Sequence, residues 1–184
     1  LPKMKEIVDH IIDIVNNSIS AGAQNIIIDI QESATHNYLK ISIIDDGKGI
    51  DGNTIKKITD PFFTTKKDKK VGLGTSLLKY QAELAGGSFL IKSELNKGTE
   101  IRATFQLSHI DRQPMGDIAG TIILLITSHS NIHFIYKHQT DDGVFQIDTT
   151  EIKDILNDIC NNIIMRRSLK EYIEENLKKI KMTN

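Results

Sequence analysis

Asp13 and Asn17 lie four residues apart in a segment whose isoleucines and valines repeat with helical spacing. Residues at this spacing are neighbours on one helix face, so a carboxylate and an amide would lie side by side. An amide oxygen suits Mg²⁺, which proteins usually hold between their own oxygens and substrate phosphates. A carboxylate one turn away could accept a proton from an attacking water or hydroxyl. The alternative interpretation is an ordinary solvated helix face.

A second group of residues stands at the end of a β-branched run, where Asp45 is followed by Gly47 and Gly49. Glycine lets the backbone pass close to a flat ligand and permits positive φ. The Asp45 carboxylate could accept a hydrogen bond from an exocyclic amine, such as that of adenine. A plain glycine-rich turn is the alternative.

A third group opens a predicted helix at Gly72, Leu73, Gly74 and Thr75, where free N–H groups and the positive helix end favour an anion. No Walker loop is present, because no Gly-Lys-Ser/Thr follows at the required spacing. Lys66, in the lysine-rich segment before it, could meet phosphates as a point charge or be simply solvated. Thr99, after Gly98, could place a hydroxyl near a bound base or belong to an ordinary hairpin turn.

Composition excludes several classes of protein. The chain has 184 residues, 26% of them charged, and a net charge of −1, so it lacks the basic excess of a nucleic-acid-binding protein. A single cysteine, Cys160, cannot form an internal disulfide, and this favours a cytoplasmic location. The longest apolar run, 122–126, is too short to cross a membrane.

The hydrophobic periodicity predicts an alternation of helices and strands. A first helix reaches about residue 20, with His10 on its polar side. Strands are expected at 25–30, 39–44, 88–93 and 99–107, and helices at 54–58 and 75–85. A polar connection at 108–116 indicates a boundary, which divides the chain into a domain at 1–107, where these motifs lie, and a small α/β extension at 108–184.

The extension carries weaker signals. Residues 117–127 could be a buried helix or a buried strand, and we favour a helix. A hairpin is predicted from 132–138 and 144–147. Thr149 or Thr150 should cap a helix that runs to about residue 159, and a last amphipathic helix should cover 168–180. The extension could dock a partner or cover one edge of the sheet, and we favour the second role.

The order of these motifs carries a resemblance to a known superfamily. The segment from Asp13 to Ser18, with Ala21 after it, resembles the first motif of the GHKL ATPases, which include gyrase, heat-shock ATPases and histidine kinases. Residues 45–50 resemble the adenine-binding motif, 60–66 the phenylalanine box of sensor histidine kinases, and 72–75 the lid motif. The resemblance covers residues 3–107.

The resemblance implies an α/β (α+β two-layer) sandwich, the Bergerat fold, with helices on one face of a mixed sheet. It also implies ATP or ADP with Mg²⁺ as the bound cofactors. Asp45 would accept from the adenine amine, Gly47 and Gly49 would leave room for the base, and Asn17 would hold Mg²⁺. The expected nucleotide-binding residues are Asn17, Ala21, Asp45, Gly47, Gly49, Ile50, Lys66, Gly72, Leu73, Gly74, Thr75 and Thr99. Asp13 stands where hydrolysing members carry a glutamate general base.

Two departures leave the reaction open. Asp13 is one methylene shorter than glutamate, and His10 does not match a phosphoacceptor motif. Phosphoryl transfer to a partner protein or phosphoacceptor, slow hydrolysis in a nucleotide-dependent switch, and binding without catalysis therefore all remain hypotheses. Beside the nucleotide, the expected partners are a protein or a second copy in a homodimer, with no nucleic acid and no membrane insertion.

Overall fold

The computed structural model describes residues 5–59 and 73–181. Isoleucine-rich segments form the central strands of its sheet. The helices are α1 (Ile7–Ser20), α2 (Gly52–Thr59), α3 (Leu73–Leu84), α4 (Ile118–Ser128), α5 (Lys153–Asn161) and α6 (Ile163–Lys179). The strands are β1 (Asn25–Ser33), β2 (Tyr38–Asp45), β3 (Ser88–Glu94), β4 (Gly98–Gln106), β5 (His133–Gln139) and β6 (Val144–Asp148).

The strands of the described segments form one mixed sheet in the order β3-β4-β2-β1-β5-β6. All neighbouring strands pair antiparallel except β1 and β5, which are parallel. The expectation that the extension covers a sheet edge is therefore confirmed, because β5 lies along β1. The division of the chain after residue 107 stays a prediction.

One face of the sheet supplies the core. In β1, Ile26, Ile28 and Ile30 are buried while Ile27 and Asp29 are half-buried, as the period of two predicts. Helices α1 and α3 pack on the buried face, α4 packs against α1, and the apolar residues of all three helices join one hydrophobic cluster with the sheet. This confirms the α/β fold with helices on one face. The opposite face of the sheet carries no helix among the described elements and is called here the open face.

The predicted helix at 117–127 is confirmed as α4. Asp117 caps it, since its Oδ1 accepts a 2.9 Å hydrogen bond from the Gly120 N–H. α6 begins at Ile163, five residues before the predicted start at 168, because Asn162 caps it by accepting from the N–H groups of the next turn.

Two local predictions are wrong. Neither Thr149 nor Thr150 caps α5, which begins at Lys153 with no side-chain cap. The Thr149 hydroxyl instead accepts from the Phe134 N–H of β5, and the Thr150 hydroxyl donates to Asp148. The two threonines therefore stabilise the open end of the hairpin, where β5 begins and β6 ends.

His10 was expected on the polar face of α1, and this is also wrong. Its side chain is fully buried, with Nε2 2.9 Å from Gln113 Oε1. Burial lowers the pKa of His10, although the Gln113 contact acts in the opposite direction. His10 is therefore a core residue, packed between α1 and the segment that leads to α4.

None of the helices in the described ranges is both long and apolar enough to cross a membrane. Cys160 is unpaired and half-buried on α5.

Candidate functional site

The Asp45 carboxylate is held at the end of β2 by two donors. The Ser18 hydroxyl, from the last turn of α1, lies 2.6 Å from Asp45 Oδ2. The Gly47 N–H donates to Asp45 Oδ1 at 2.9 Å. Asp45 is half-buried, and Ser18 is buried, so the helix fixes the carboxylate from the core side. Sequence reasoning missed the role of Ser18, because its partner lies 27 residues away.

The loop after Asp45 is bound to the end of α1. The Lys48 N–H donates to the Ala21 carbonyl at 3.0 Å, and Ala21 is the C-cap residue of the helix. A Cβ added at Gly47 would lie 3.1 Å from that carbonyl oxygen and 3.0 Å from Asp45 Oδ1. Gly47 therefore permits the loop to approach both groups closely, and α1 and the loop form one unit.

Gly49 lies against the β3–β4 hairpin. Its φ is +67°, and an added Cβ would overlap the Glu94 carbonyl oxygen. The next residue, Ile50, donates its N–H to Ser93 Oγ at 2.8 Å. The described backbone thus explains this glycine by contact with the hairpin, and its predicted role beside a base stays a prediction.

Thr99 stands in register with Asp45 on β2 and with Ser93 on β3. Its hydroxyl lies 2.8 Å from Ser93 Oγ, which also donates to the Gly98 carbonyl. Thr99 is buried on the same sheet face as Asp45. Ser93 was not identified from the sequence, because only the strand register brings it beside Thr99 and Ile50.

Asp13 and Asn17 meet on α1 as their spacing predicts. The Asn17 Nδ2 donates to Asp13 Oδ2 at 3.2 Å, which leaves the Asn17 amide oxygen as the atom suited to a cation. Asp13 also touches the start of α3, since a Cβ added at Gly74 would overlap its carboxylate. The structure therefore brings Asp13, Asn17 and Gly74 together.

The remaining predicted residues divide into two groups. Thr75 is buried in the first turn of α3, and Leu73 begins that helix. Lys66 and Gly72 lie outside the described residues.

Asp45 and Asn17 are connected through adjacent residues of α1, because Ser18, which binds Asp45, directly follows Asn17.

The oxygen donors near Asn17 differ from those of a metal site built from protein ligands alone. In the described ranges, no group of three His, Cys, Asp or Glu side chains could hold a metal ion alone. Mg²⁺ usually takes one or two protein oxygens and completes its octahedron with water and substrate phosphates. The Asn17 amide oxygen lies one turn from the Asp13 carboxylate, which itself lies against the start of α3. This arrangement fits that mode and does not fit a metal site built from protein ligands alone.

Comparison with known proteins decides the family. Residues 4–109 match the family described as histidine kinase-, DNA gyrase B-, and HSP90-like ATPase. The chain belongs to this family. Its match covers more than half of the sequence and includes Asp13, Asn17, Asp45, Gly74 and Thr99.

Among the relatives of this ATPase family are two bacterial kinases. The chain is 31% identical over 100 residues to the sensor histidine kinase ZraS of Escherichia coli. The aligned stretch covers 54% of this chain and 21% of that kinase. It is 32% identical over 104 residues to sporulation kinase D of Bacillus subtilis, which covers 54% and 20%. The chain thus spans about a fifth of the length of these curated relatives.

A solved structure shares the fold over a longer stretch. The Aquifex aeolicus MutL ATPase domain, complexed with ADP, superposes with a TM-score of 0.53 at 12% identity. The superposition covers 85% of this chain and 69% of that chain. At this identity the likeness shows the fold alone, and it confirms the expected GHKL architecture.

Proposed function

We propose that this chain binds ATP with Mg²⁺ and transfers the terminal phosphoryl group of ATP to a partner protein in the cytoplasm. The observation that carries the nucleotide assignment is the oriented carboxylate of Asp45, fixed by Ser18 and the Gly47 N–H. Each carboxylate oxygen can accept more than one hydrogen bond. Asp45 is half-buried and so keeps acceptor capacity for the amine of adenine.

The phosphate side of the site lies along α1 and the start of α3. Asn17 would hold Mg²⁺, and the bound ion would neutralise charge on the phosphates. The first N–H groups of α3 point toward an anion by the ordinary geometry of a helix N-terminus. Asp13, which lies beside Asn17 and the start of α3, would accept the proton that the attacking side chain loses as its bond to phosphorus forms. The two kinases among the relatives support phosphoryl transfer as the reaction.

Binding is tested by calorimetric titration of ATP and ADP in the presence of Mg²⁺. Replacing Asp45 by alanine removes a hydrogen bond to a charged group, which is worth about 1.5–3 kcal/mol. We therefore expect the affinity of Asp45→Ala to fall about ten- to hundredfold. Asp158→Ala, on the exposed surface of α5, is the matched control and should bind as wild type does. Wild type that binds neither nucleotide would refute the proposal.

Transfer is tested with γ-labelled ATP and candidate acceptor proteins, histidine-bearing domains first. Label on an acceptor that is lost with Asp45→Ala supports the proposal. Intact ATP and unlabelled acceptors, with tight binding, would reduce the function to nucleotide binding alone.

A second candidate is a slow ATPase that acts as a nucleotide-dependent switch. The 3.2 Å contact between Asn17 and Asp13 favours it, because it holds an acid beside the expected metal ligand. Its signature is phosphate release without labelled protein, together with nucleotide-dependent formation of a homodimer.

A further inference from the structure

The sheet ends at β6 in the extension, on the side away from β3. Among the strands of the described residues, β6 has one neighbour, β5, with which it pairs antiparallel. A strand at the edge of a sheet presents a row of unpaired N–H and C=O groups, and these groups can pair with another strand. The free side of β6 is therefore a candidate interaction surface.

Two hydrogen bonds at the ends of the β5–β6 pair show which backbone groups are unpaired. The Thr140 N–H donates to the Gly143 carbonyl at 2.9 Å, and the Thr149 N–H donates to the Phe134 carbonyl at 3.0 Å. Bonded and non-bonded positions alternate along an antiparallel pair. The odd-numbered residues of 143–149 therefore bond to β5, and the even-numbered residues direct their N–H and C=O groups away from the sheet.

This edge differs from the opposite one in charge. Val144 and Gln146 are uncharged, and both are exposed. The Asp148 carboxylate is engaged within the sheet, since its Oδ1 lies 2.8 Å from His133 Nε2 of β5. The strand at the opposite edge, β3, carries the exposed Lys92, and lysine on an edge strand discourages pairing with another chain. The edge at β6 is therefore the one that accepts a further strand.

Apolar groups flank the free side of β6. Phe145 and Ile147 point to the buried face of the sheet and join the core. On that side the Tyr172 ring of α6 lies 5.9 Å from the Phe145 ring, yet Tyr172 is 55% exposed. On the open face Val144 is 54% exposed. A strand added beside β6 would therefore remove apolar surface from water on both faces.

We propose that the occupant of this edge is β6 of a second copy of the chain, paired antiparallel about Gln146. A two-fold axis perpendicular to the sheet relates the copies, so the same surface of each contributes to the interface. The two Gln146 residues exchange a pair of backbone hydrogen bonds. The result is one sheet that runs through both copies, with the helices of both on the same side.

The sequence of β6 is suited to pairing with itself. The strand runs from Val144 to Asp148, so Gln146 is its midpoint and each position has a partner in the second copy. Phe145 of one copy lies opposite Ile147 of the other on the helix side, where Tyr172 covers them. Val144 lies opposite Asp148, so no two like charges are opposed.

The dimer does not depend on the proposed function. β1 and β5 lie between β6 and the strand that carries Asp45, so the nucleotide site and the edge are separate surfaces. The test is therefore made without nucleotide, and its failure would leave the nucleotide assignment untouched.

Sedimentation equilibrium across about 1 to 100 µM chain measures the association. Wild type should approach twice the mass of the chain as its concentration rises. Gln146→Pro removes the N–H at the centre of the interface, which points away from β5, and such an edge position tolerates proline. The dimer loses its two central hydrogen bonds, so its dissociation constant should rise about tenfold or more. Circular dichroism checks that the variant is folded.

A pair of charge variants tests the register itself. Gln146→Lys and Gln146→Glu each place like charges opposite one another across the two-fold axis, so each alone should be a monomer. An equal mixture should form a dimer with one copy of each variant, identified by native mass spectrometry. Gln139→Lys and Gln139→Glu, exposed on β5 and one strand inside the edge, are the matched controls. Each of them should form dimers as wild type does.

Every outcome decides for or against this interface. Pairing that returns only in the mixture of Gln146 variants supports it, because this register places residue 146 opposite itself. Wild type that stays monomeric throughout overturns the proposal and leaves the edge to a strand of another protein. A dimer that the Gln146 variants do not weaken overturns it as well, because the contact must then lie elsewhere.

Discussion

Ser18 and Asp45 lie 27 residues apart in sequence, yet the serine hydroxyl is 2.6 Å from the carboxylate. The contact joins the end of α1 to the end of β2 and orients the group proposed to recognise adenine. Asp45 thus owes its direction to a helix that also carries Asn17. The proposed contacts to the base and to the phosphates would therefore depend on two consecutive residues of α1, Asn17 and Ser18.

Ser18→Ala should weaken ATP binding about tenfold, because Asp45 loses a hydrogen bond to its charged form while the fold is retained. Calorimetry of Mg-ATP binding measures the change. Ser20→Ala, on the exposed side of the same helix, is the control and should bind normally. Equal affinity of Ser18→Ala and wild type would show that Asp45 needs no orientation by α1.

Gly74→Ala should destabilise the protein and disrupt the phosphate side, because the new methyl group would overlap the Asp13 carboxylate. Overpacking of this kind costs about 1–3 kcal/mol. Urea unfolding measures the stability and calorimetry measures ATP affinity. Gly52→Ala is the matched control, since a Cβ there meets nothing within 4 Å and Gly52 has no positive φ.

The double variant Asp13→Ala, Gly74→Ala tests the cause. Removing the carboxylate makes room for the methyl group, so the stability loss should be less than the sum of the two single losses. Additive losses would place the strain of Gly74→Ala elsewhere.

Asp13→Asn separates chemistry from packing, because the two side chains have nearly the same size. A general base contributes about 10²- to 10⁴-fold to a rate. We expect phosphoryl transfer or phosphate release to fall by at least that lower figure, while ATP affinity stays within a few-fold of wild type. Turnover that survives Asp13→Asn would leave Asp13 as a contact of α3 without a role as base.

Glu32 gives the protein an acid-sensitive contact between β1 and the extension. Burial acts to raise its pKa, but hydrogen bonds from His138 and Lys181 outweigh this and lower the pKa from 4.5 to about 2. A folded-state pKa below the unfolded one stabilises the protein above pH 4.5, and this stabilisation is lost as the pH falls toward 2. At about 1.4 kcal/mol for each pKa unit, the contribution is about 3 kcal/mol.

Glu32→Gln should therefore unfold at lower urea than wild type at neutral pH, and the difference should shrink as the pH falls through this window. Glu175→Gln, on the exposed surface of α6, controls for loss of one carboxylate. A stability difference that does not change with pH would contradict the assignment.

The local elements and much of the candidate site could be predicted from the sequence. Helical spacing predicted that Asp13 and Asn17 would meet on α1, and two β-branched runs predicted β1 and β2. These features depend on neighbours within a few residues. The motif residues Asp45, Gly47 and Thr99 lie close together as the resemblance implied.

Other contacts depend on partners that are distant in sequence. Sequence periodicity placed His10 on a polar face, but its side chain is buried and contacts Gln113, which lies 103 residues away in the sequence. Ser18 and Ser93 have no distinguishing local pattern, and only the sheet register and the α1–β2 contact reveal them. The parallel pairing of β1 with β5 carries no short-range signal either, so the sequence indicated that the extension covers a sheet edge but not which strand it pairs with.

That parallel pairing constrains how the chain acquires its structure during synthesis. Asn25 in β1 faces His133 in β5, 108 residues later. A ribosome releases the helix and strands that hold Asp13 and Asp45 long before β5 emerges. One side of β1 therefore has no partner strand until β5 has been synthesised. Pairings between residues so distant in sequence slow folding and expose unpaired strands to aggregation. Completion of the sheet is therefore a late event in the folding of each new molecule.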